Sequence, residues 1–323
     1  MCCPKMSESD KMKFCACCGT AGGDDIKLKK CTACYLVKYC SVKCQKEHRP
    51  KHKRECKKRA AELRDELLFK QPESSSSGDC PICCLPLPID PKKSTFYSCC
   101  SNKICMGCSL ANQIREIERR LQQKCPFCRE VLPSTDEERN VQMMKRVEAN
   151  DPVAMCQMGT KRCHKGDYKA AFEYWTKAVA LGDVEAHHQL SIMYREGIFV
   201  VKDWKRALYH MEEAAIGGHP DARHNLAYFE DINGQHITAV KHYVIAAKLG
   251  FDDSLKNVKT LYEEGRVSKD VFSAALLGYQ AAIEATKSPQ REEAAENARR
   301  AAERDRRGFY QSRNNRIIQT TFS

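Results

Sequence analysis

The chain has 323 residues, 42% of them hydrophobic and 30% charged, which suits two or three domains better than one core. Lysine and arginine number 54 against 42 aspartates and glutamates, a formal net charge of +12, and 21 residues are cysteine. No run of about 20 apolar residues is present to span a bilayer, and the opening Met1-Cys-Cys-Pro-Lys-Met-Ser-Glu has no apolar signal core. The cysteines therefore read as metal ligands in a reducing compartment rather than as disulfides, and the expected location is cytoplasmic or nuclear. Acylation of Cys2 and Cys3 is the one membrane signal, and nothing else in the sequence supports it.

Residues 1–14 are expected to be disordered. Four ligand pairs follow: Cys15 with Cys18, Cys31 with Cys34, Cys40 with Cys44, and His52 with Cys56. A C-x-x-C turn points two sulfurs at one centre, and the i, i+4 spacing of the last pair puts His52 and Cys56 on one helix face. With Tyr39-Cys40-Ser41, Cys44-Gln45 and His52-Lys53 around them, residues 15–56 resemble a MYND zinc finger. The interleaved pairing of that family implies one zinc on Cys15, Cys18, Cys40 and Cys44, and a second on Cys31, Cys34, His52 and Cys56. Cys17 is then spare, and His48 reads as a solvated helix residue. The family's docking of proline-rich peptides implies a possible peptide partner, but Arg49 stands where a tryptophan often supplies the ring face.

The basic run from Lys51 to Arg59 admits two readings, a nuclear-import or nucleic-acid patch and a solvated helix face; the second is favoured because zinc claims His52 and Cys56. Residues 57–78 read as a short helix and then a serine-rich linker, Gln71-Pro-Glu-Ser-Ser-Ser-Ser-Gly78, flexible by composition.

From Asp79 the ligand pairs return: Cys80-Pro-Ile-Cys83, Cys99-Cys100, Cys105-Met-Gly-Cys108 and Cys125-Pro-Phe-Cys128-Arg129. Order and spacing over 79–132 resemble a RING domain. The resemblance implies one zinc on Cys80, Cys83, Cys105 and Cys108, and another on Cys99, Cys100, Cys125 and Cys128. The histidine usual in that family falls at Asn102, so the adjacent Cys99 supplies the missing thiolate and makes an all-cysteine variant. With four zinc ions on fifteen thiolates and one imidazole, the net charge falls to about +5, which weakens any nucleic-acid argument from charge. Leu110, Ile114, Ile117 and Leu121 form an apolar helix stripe, expected to pack on the zinc core or on the following domain in preference to a dimer seam. Cys84 reads as a buried filler or a bystander. Pro133-Ser-Thr-Asp-Glu-Glu predicts breaker, cap and acidic first turn for a connecting helix within 133–149.

From Asn150 a repeat takes over. Small residues recur at Ala154, Ala186, Ala222 and Ser254, and the helix that follows each ends in glycine at Gly182, Gly217 and Gly250. This resembles the Sel-one-like relatives of tetratricopeptide repeats over 150–286, which implies a helical solenoid whose concave face binds partners. His164, His187, His188, His210, His224 and His242 are read as surface or seam residues, and Cys156 and Cys163 as repeat core. Residues 287–323 read as a basic Ala/Arg-rich helix, without a core face and able to cap the last repeat, and a disordered tail. The expected fold is thus small zinc-stapled α+β modules, MYND then all-cysteine RING, followed by an all-α helical-repeat solenoid.

The RING resemblance implies a ubiquitin ligase that positions a charged ubiquitin-conjugating enzyme without a covalent intermediate. Ile82 and Pro126 would contact that enzyme, and Arg129 would bridge it to ubiquitin, while the repeats hold a protein substrate or complex. Asn112, where many members carry tryptophan or an aliphatic residue, weakens the expected contact. The alternative is a zinc-finger scaffold for protein–protein interaction. Nucleic-acid binding is disfavoured, for want of interleaved aromatic and basic residues. No triad, phosphate loop, activated cysteine or methyltransferase domain is legible.

Overall fold

A computed structural model describes residues 13–301 and 303. The expectations for Cys2, Cys3, most of segment 1–14 and the tail from 304 lie outside the described residues. The chain divides into two compact units, Met1–Lys70 and Gln71–Ser323.

The first unit has strands β1 (Lys29–Lys30) and β2 (Lys38–Tyr39), paired antiparallel, and helix α1 (Val42–Leu68). Ser41 caps α1 by accepting from the Cys44 amide at 3.2 Å. The helix that carries His52 and Cys56 runs on without a break through the short helix read after residue 57, as one helix of 27 residues. Its core is little more than Cys15, Cys31, Cys34 and Tyr39. So small a core needs a further staple to fold.

The second unit opens with a segment that corrects the flexible-linker expectation. The Ser76 amide donates to the Gly218 carbonyl at 3.0 Å. A Cβ on Gly218 would lie 2.8 Å from the Ser74 carbonyl oxygen. Serine-rich composition predicts flexibility only where nothing receives the backbone, and here a helix end does.

Next, β3 (Ser94–Tyr97) pairs antiparallel with β4 (Asn102–Cys105), in register from Ser94 opposite Cys105 to Tyr97 opposite Asn102. Helix α2 (Met106–Glu118) follows at once, capped by the Cys105 sulfur accepting from the Cys108 amide. Leu87, Tyr97 and Ile104 close the core among the cysteines, with the Tyr97 hydroxyl 2.8 Å from Ser109 Oγ. The apolar stripe does not pack as expected: Ile117 and Leu121 are 64% and 55% exposed. Helix α2 instead turns Gly107, Cys108, Ser109 and Glu116 inward, and the buried Glu116 carboxylate accepts from the Lys124 amide at 3.1 Å. The expected connecting helix is α3 (Asp136–Glu148), with Thr135 as its cap. Its Met143 packs with Ala154 and Met158, and Phe96 of β3 lies against the same cluster, joining zinc module to repeats.

The repeats are helix pairs α4 (Pro152–His164) and α5 (Tyr168–Ala180), α6 (Val184–Glu196) and α7 (Trp204–Ile216), α8 (Pro220–Ile232) and α9 (His236–Lys248), then α10 (Asp252–Glu263) and α11 (Lys269–Ala285). Asp151, Asp183 and His219 cap the first helices of three pairs, His219 through Nδ1. Ala154, Ala186, Ala222 and Ser254 are all fully buried where helices approach. Gly182 and Gly250 take the left-handed conformation that ends a helix, but in the middle repeat the residue that does so is Gly218. Gly217 has φ −70. The offset moves the large core residue too: Trp175 and Tyr243 are buried in the repeats on either side, whereas here Met211 is buried and Tyr209 is 53% exposed. His188 and His242 are buried in the seams and His164 is exposed. A last helix, α12, covers 289–301.

Candidate metal centres

Four C-x-x-C turns share one backbone design. In each, the amide after the second cysteine donates back to the carbonyl of the first: Gly19 to Cys15, Tyr35 to Cys31, Cys84 to Cys80 and Arg129 to Cys125, at 2.8 to 3.0 Å. That residue is left-handed in all four, with φ of 73, 57, 56 and 65. Only the first is glycine. An L side chain in that region costs roughly 1–2 kcal/mol. Cys84 is exposed, so of its two readings the bystander holds and the buried filler does not. Cys84→Gly should therefore raise the resistance of the zinc-loaded chain to denaturant, by up to about 1 kcal/mol after glycine's extra unfolded-state entropy. A lowered denaturation midpoint would show that the Cys84 side chain makes a contact worth more than its strain.

The turns bring together four ligand sets, each with its donor atoms within 4.8 Å of one another: Cys15, Cys18, Cys40 and Cys44; Cys31, Cys34, His52 and Cys56; Cys80, Cys83, Cys105 and Cys108; Cys99, Cys100, Cys125 and Cys128. Sulfur separations include 3.5 Å for Cys18 to Cys40, 3.8 Å for Cys31 to Cys56, 3.9 Å for Cys83 to Cys105 and 3.8 Å for Cys100 to Cys125. A disulfide needs about 2.05 Å. A zinc tetrahedron with bonds of about 2.3 Å has edges of about 3.8 Å, which these sets match.

The electrostatics agree. Burial alone would raise the Cys15 and Cys31 thiols, but amides of their own turns aimed at the sulfur bring both down to about 6. The same opposition brings Cys80 to about 7. Hydrogen bonding with the neighbouring Cys18 and Cys44 sulfurs pushes Cys40 up to about 12, while burial and then Cys31 do the same to Cys56. Sets that favour some thiolates and crowd the rest are suited to a divalent cation that accepts all four.

Cys99 and Cys100 reach one set because the β3–β4 turn is tight, with Ser101 left-handed and its amide donating to the Tyr97 carbonyl at 2.9 Å. Asn102 instead donates to the Cys100 carbonyl. Cys17 lies beside Cys44 and Glu47, its thiol 3.6 Å from the carboxylate. His48 is not simply solvated: its Nδ1 is 3.1 Å from the Tyr39 hydroxyl and its ring stacks on His52. Gln45 and Arg49 are exposed on α1.

Ile82, Pro126 and Arg129 line one shallow depression of about 240 Å³ together with Asn112, Arg115 and Gln290. Asn112 is a clamp: its Oδ1 accepts from Arg115 at 2.8 Å and Arg129 at 3.3 Å, and its Nδ2 donates to the Lys124 carbonyl. Sequence reading missed that role, which a periodic apolar pattern gives no means of finding. Gln290 came unexpectedly too, from the far end of the chain.

Comparison with known proteins bears on both ends. Residues 15–56 match the MYND finger family, and residues 152–183, 184–219 and 220–251 match the Sel1 repeat family. The human histone-lysine N-methyltransferase SMYD3 is 44% identical over 57 residues, 15% of this chain and only 13% of that protein's length. Solved structures similar to this chain include a Sel1 repeat protein from Oxalobacter formigenes, 18% identical with a TM-score of 0.41, covering 56% of this chain and 72% of the other. They also include c5321, a protective antigen of uropathogenic Escherichia coli, 20% identical with a TM-score of 0.37 over 52% and 37% of the two chains. MamA is 20% identical with a TM-score of 0.29 over 50% and 91%. No helix among the described residues is long and apolar enough to cross a membrane. The chain carries a zinc-binding MYND finger at its amino-terminal end and three Sel1 repeats downstream.

Proposed function

We propose that this chain is a protein-interaction protein stapled by four zinc ions, in which the MYND finger and the Sel1 repeats each hold a protein partner. The observation that carries this is the pairing of two partner-binding families in one chain, at 15–56 and 152–251. A cleft of about 850 Å³ supports it. The cleft runs between residues 86–91 of the second zinc module and the ends of the last repeats, over a floor including Leu87, Ile89, Phe251 and Ile283. Cross-linking with mass spectrometry on the zinc-loaded chain tests the reading. Reproducible cross-links from lysines of 150–286, Lys248 among them, to one partner would support it; a chain that cross-links to nothing would overturn it.

A second reading is favoured by one specific arrangement. Segment 79–132 has the ligand order of a RING domain, and the three residues that family uses on the conjugating enzyme, Ile82, Pro126 and Arg129, share one depression. Ile82 is 42% exposed and free to be covered. In this reading Asn112 braces the Arg129 guanidinium for contact with ubiquitin and enzyme together. The full chain should then speed ubiquitin discharge from a charged conjugating enzyme, and Arg129→Ala should cut that gain by about 10-fold or more, equivalent to about 1.4 kcal/mol. Zinc content must be unchanged in the variant. Absence of acceleration across a panel of conjugating enzymes would leave the interaction reading and remove the ligase one.

A further inference from the structure

Helix α12 lies about 200 residues beyond the first C-x-x-C turn of the second zinc module in sequence, yet its first turn is seated against it. Arg291 donates from Nη1 to the Pro86 carbonyl at 2.7 Å and to the Thr286 carbonyl at 2.8 Å. From Nη2 it donates to the Leu85 carbonyl at 3.1 Å and to Cys83 Sγ at 3.3 Å. One planar guanidinium thus grips the end of the last repeat, the loop after the first C-x-x-C turn, and one sulfur of a ligand set. The helices meet closely: a Cβ on Gly107 of α2 would lie 2.8 Å from the Arg291 amide nitrogen. Ala294, one turn on, is 3% exposed. The helix expected to lack a core face has one, made by the zinc module.

Four thiolates on one zinc ion leave the centre with two net negative charges, and these need nearby donors when partly buried. Among the described residues, Arg291 is the cationic side chain seen to reach a sulfur of this set. A lysine in its place would bring the charge as a single point and could not grip three groups in one plane.

The geometry points to Arg291 as a positioning residue of the centre formed by Cys80, Cys83, Cys105 and Cys108: it aims the Cys83 thiolate at the metal and fixes the loop that carries Ile82. This rests on the zinc reading of that ligand set. The docking surface is then a composite. Gln290 borders the same depression as Ile82, Pro126 and Arg129, so the surface is complete only while α12 is seated.

The test uses the full-length zinc-loaded chain and three variants: Arg291→Ala, Arg291→Lys and, as control, Arg299→Ala. Arg299 is on the same helix, 71% exposed and paired with Glu296. Zinc is counted per chain, and its transfer to a chromophoric chelator is followed in time. In Arg291→Ala one ion should leave about 10 to 100 times faster, the release-rate counterpart of the affinity loss that follows removal of a partner behind a metal ligand. Arg291→Lys should fall between, and Arg299→Ala should follow the wild type. In the cobalt-substituted chain, Arg291→Ala should also move the thiolate-to-metal charge-transfer band to lower energy, because a sulfur freed of its hydrogen bond is the stronger donor. An arginine that merely packs a helix would leave that band in place. Superimposable release curves and an unmoved band would overturn the proposal. A wild-type chain retaining only two zinc ions would overturn it at the root, by removing the centre itself.

Discussion

Stripping zinc from the chain with a strong chelator is expected to unfold residues 15–56 and 79–132 while most of the helical circular-dichroism signal survives. The MYND finger has a core of four residues, three of them ligands, and the second module's core likewise counts Cys80, Cys105, Cys108 and Cys125 among its seven buried members. Apparent binding free energies of structural zinc run to about 10–16 kcal/mol near neutral pH, well above what such cores supply. The repeats have a metal-free core around Trp175, Leu190 and Met193. Limited proteolysis checks the claim: cleavage within the two modules should rise by orders of magnitude, with a fragment covering the repeats left resistant. Acid should act in the same direction, since the ligand thiolates must bind protons to release the metal. Modules that keep their protease resistance without zinc would contradict this account of what holds them.

The second large effect is expected at Trp175. Its ring is 2% exposed, its Nε1 donates to the Cys156 carbonyl at 3.2 Å, and Gly159 admits it: a Cβ there would fall 2.7 Å from the ring. Trp175→Ala should cost about 3–5 kcal/mol, from lost burial and the cavity left behind. That is a large share of the roughly 5–15 kcal/mol available to a domain. Because stacked repeats depend on their nearest neighbours, α4 to α6 should melt ahead of α8 to α11, separating one denaturation transition into two. Trp175→Phe, which keeps most of the volume, should retain the single transition. A shift in Trp175→Ala equivalent to less than about 1 kcal/mol would mean that this ring is not what joins the first repeat to the second.

What the sequence made legible was local. A C-x-x-C turn declares its geometry within six residues, so the pairs could be read off directly. The recurrence of Ala154, Ala186, Ala222 and Ser254 marked the close helix contacts, because only small side chains fit there. Three misreadings came from composition or periodicity. The segment 71–78 is serine-rich, the helix at 289–301 looks polar all round, and Leu110, Ile114, Ile117 and Leu121 look like a packing stripe. In the first two the outcome is set by a partner far along the chain: Gly218 receives Ser76, and the loop at 83–86 receives Arg291. In the third it is set within the helix, where Glu116, bonded to the Lys124 amide, takes the buried side of α2. Composition and periodicity describe what a segment can bury, and they do not say where its partner is. The slip from Gly218 to Gly217 differs, since two adjacent glycines satisfy the same pattern and only backbone conformation separates them.

The grip of Arg291 on Cys83 spans 208 positions of chain, which gives the protein a timetable. At translation rates of about 5–20 residues per second, the ligands from Cys80 to Cys108 are made roughly 10–40 s before Arg291. During that interval the nascent module can take up metal only without its arginine, and the loop carrying Ile82 is unbraced. The depression that Ile82 shares with Gln290 is therefore finished last, after every repeat has been made. A chain cut short anywhere between the repeats and position 291 would display folded helices beside a zinc module that lacks its arginine, so synthesis as far as Arg291 is the condition for completing that depression.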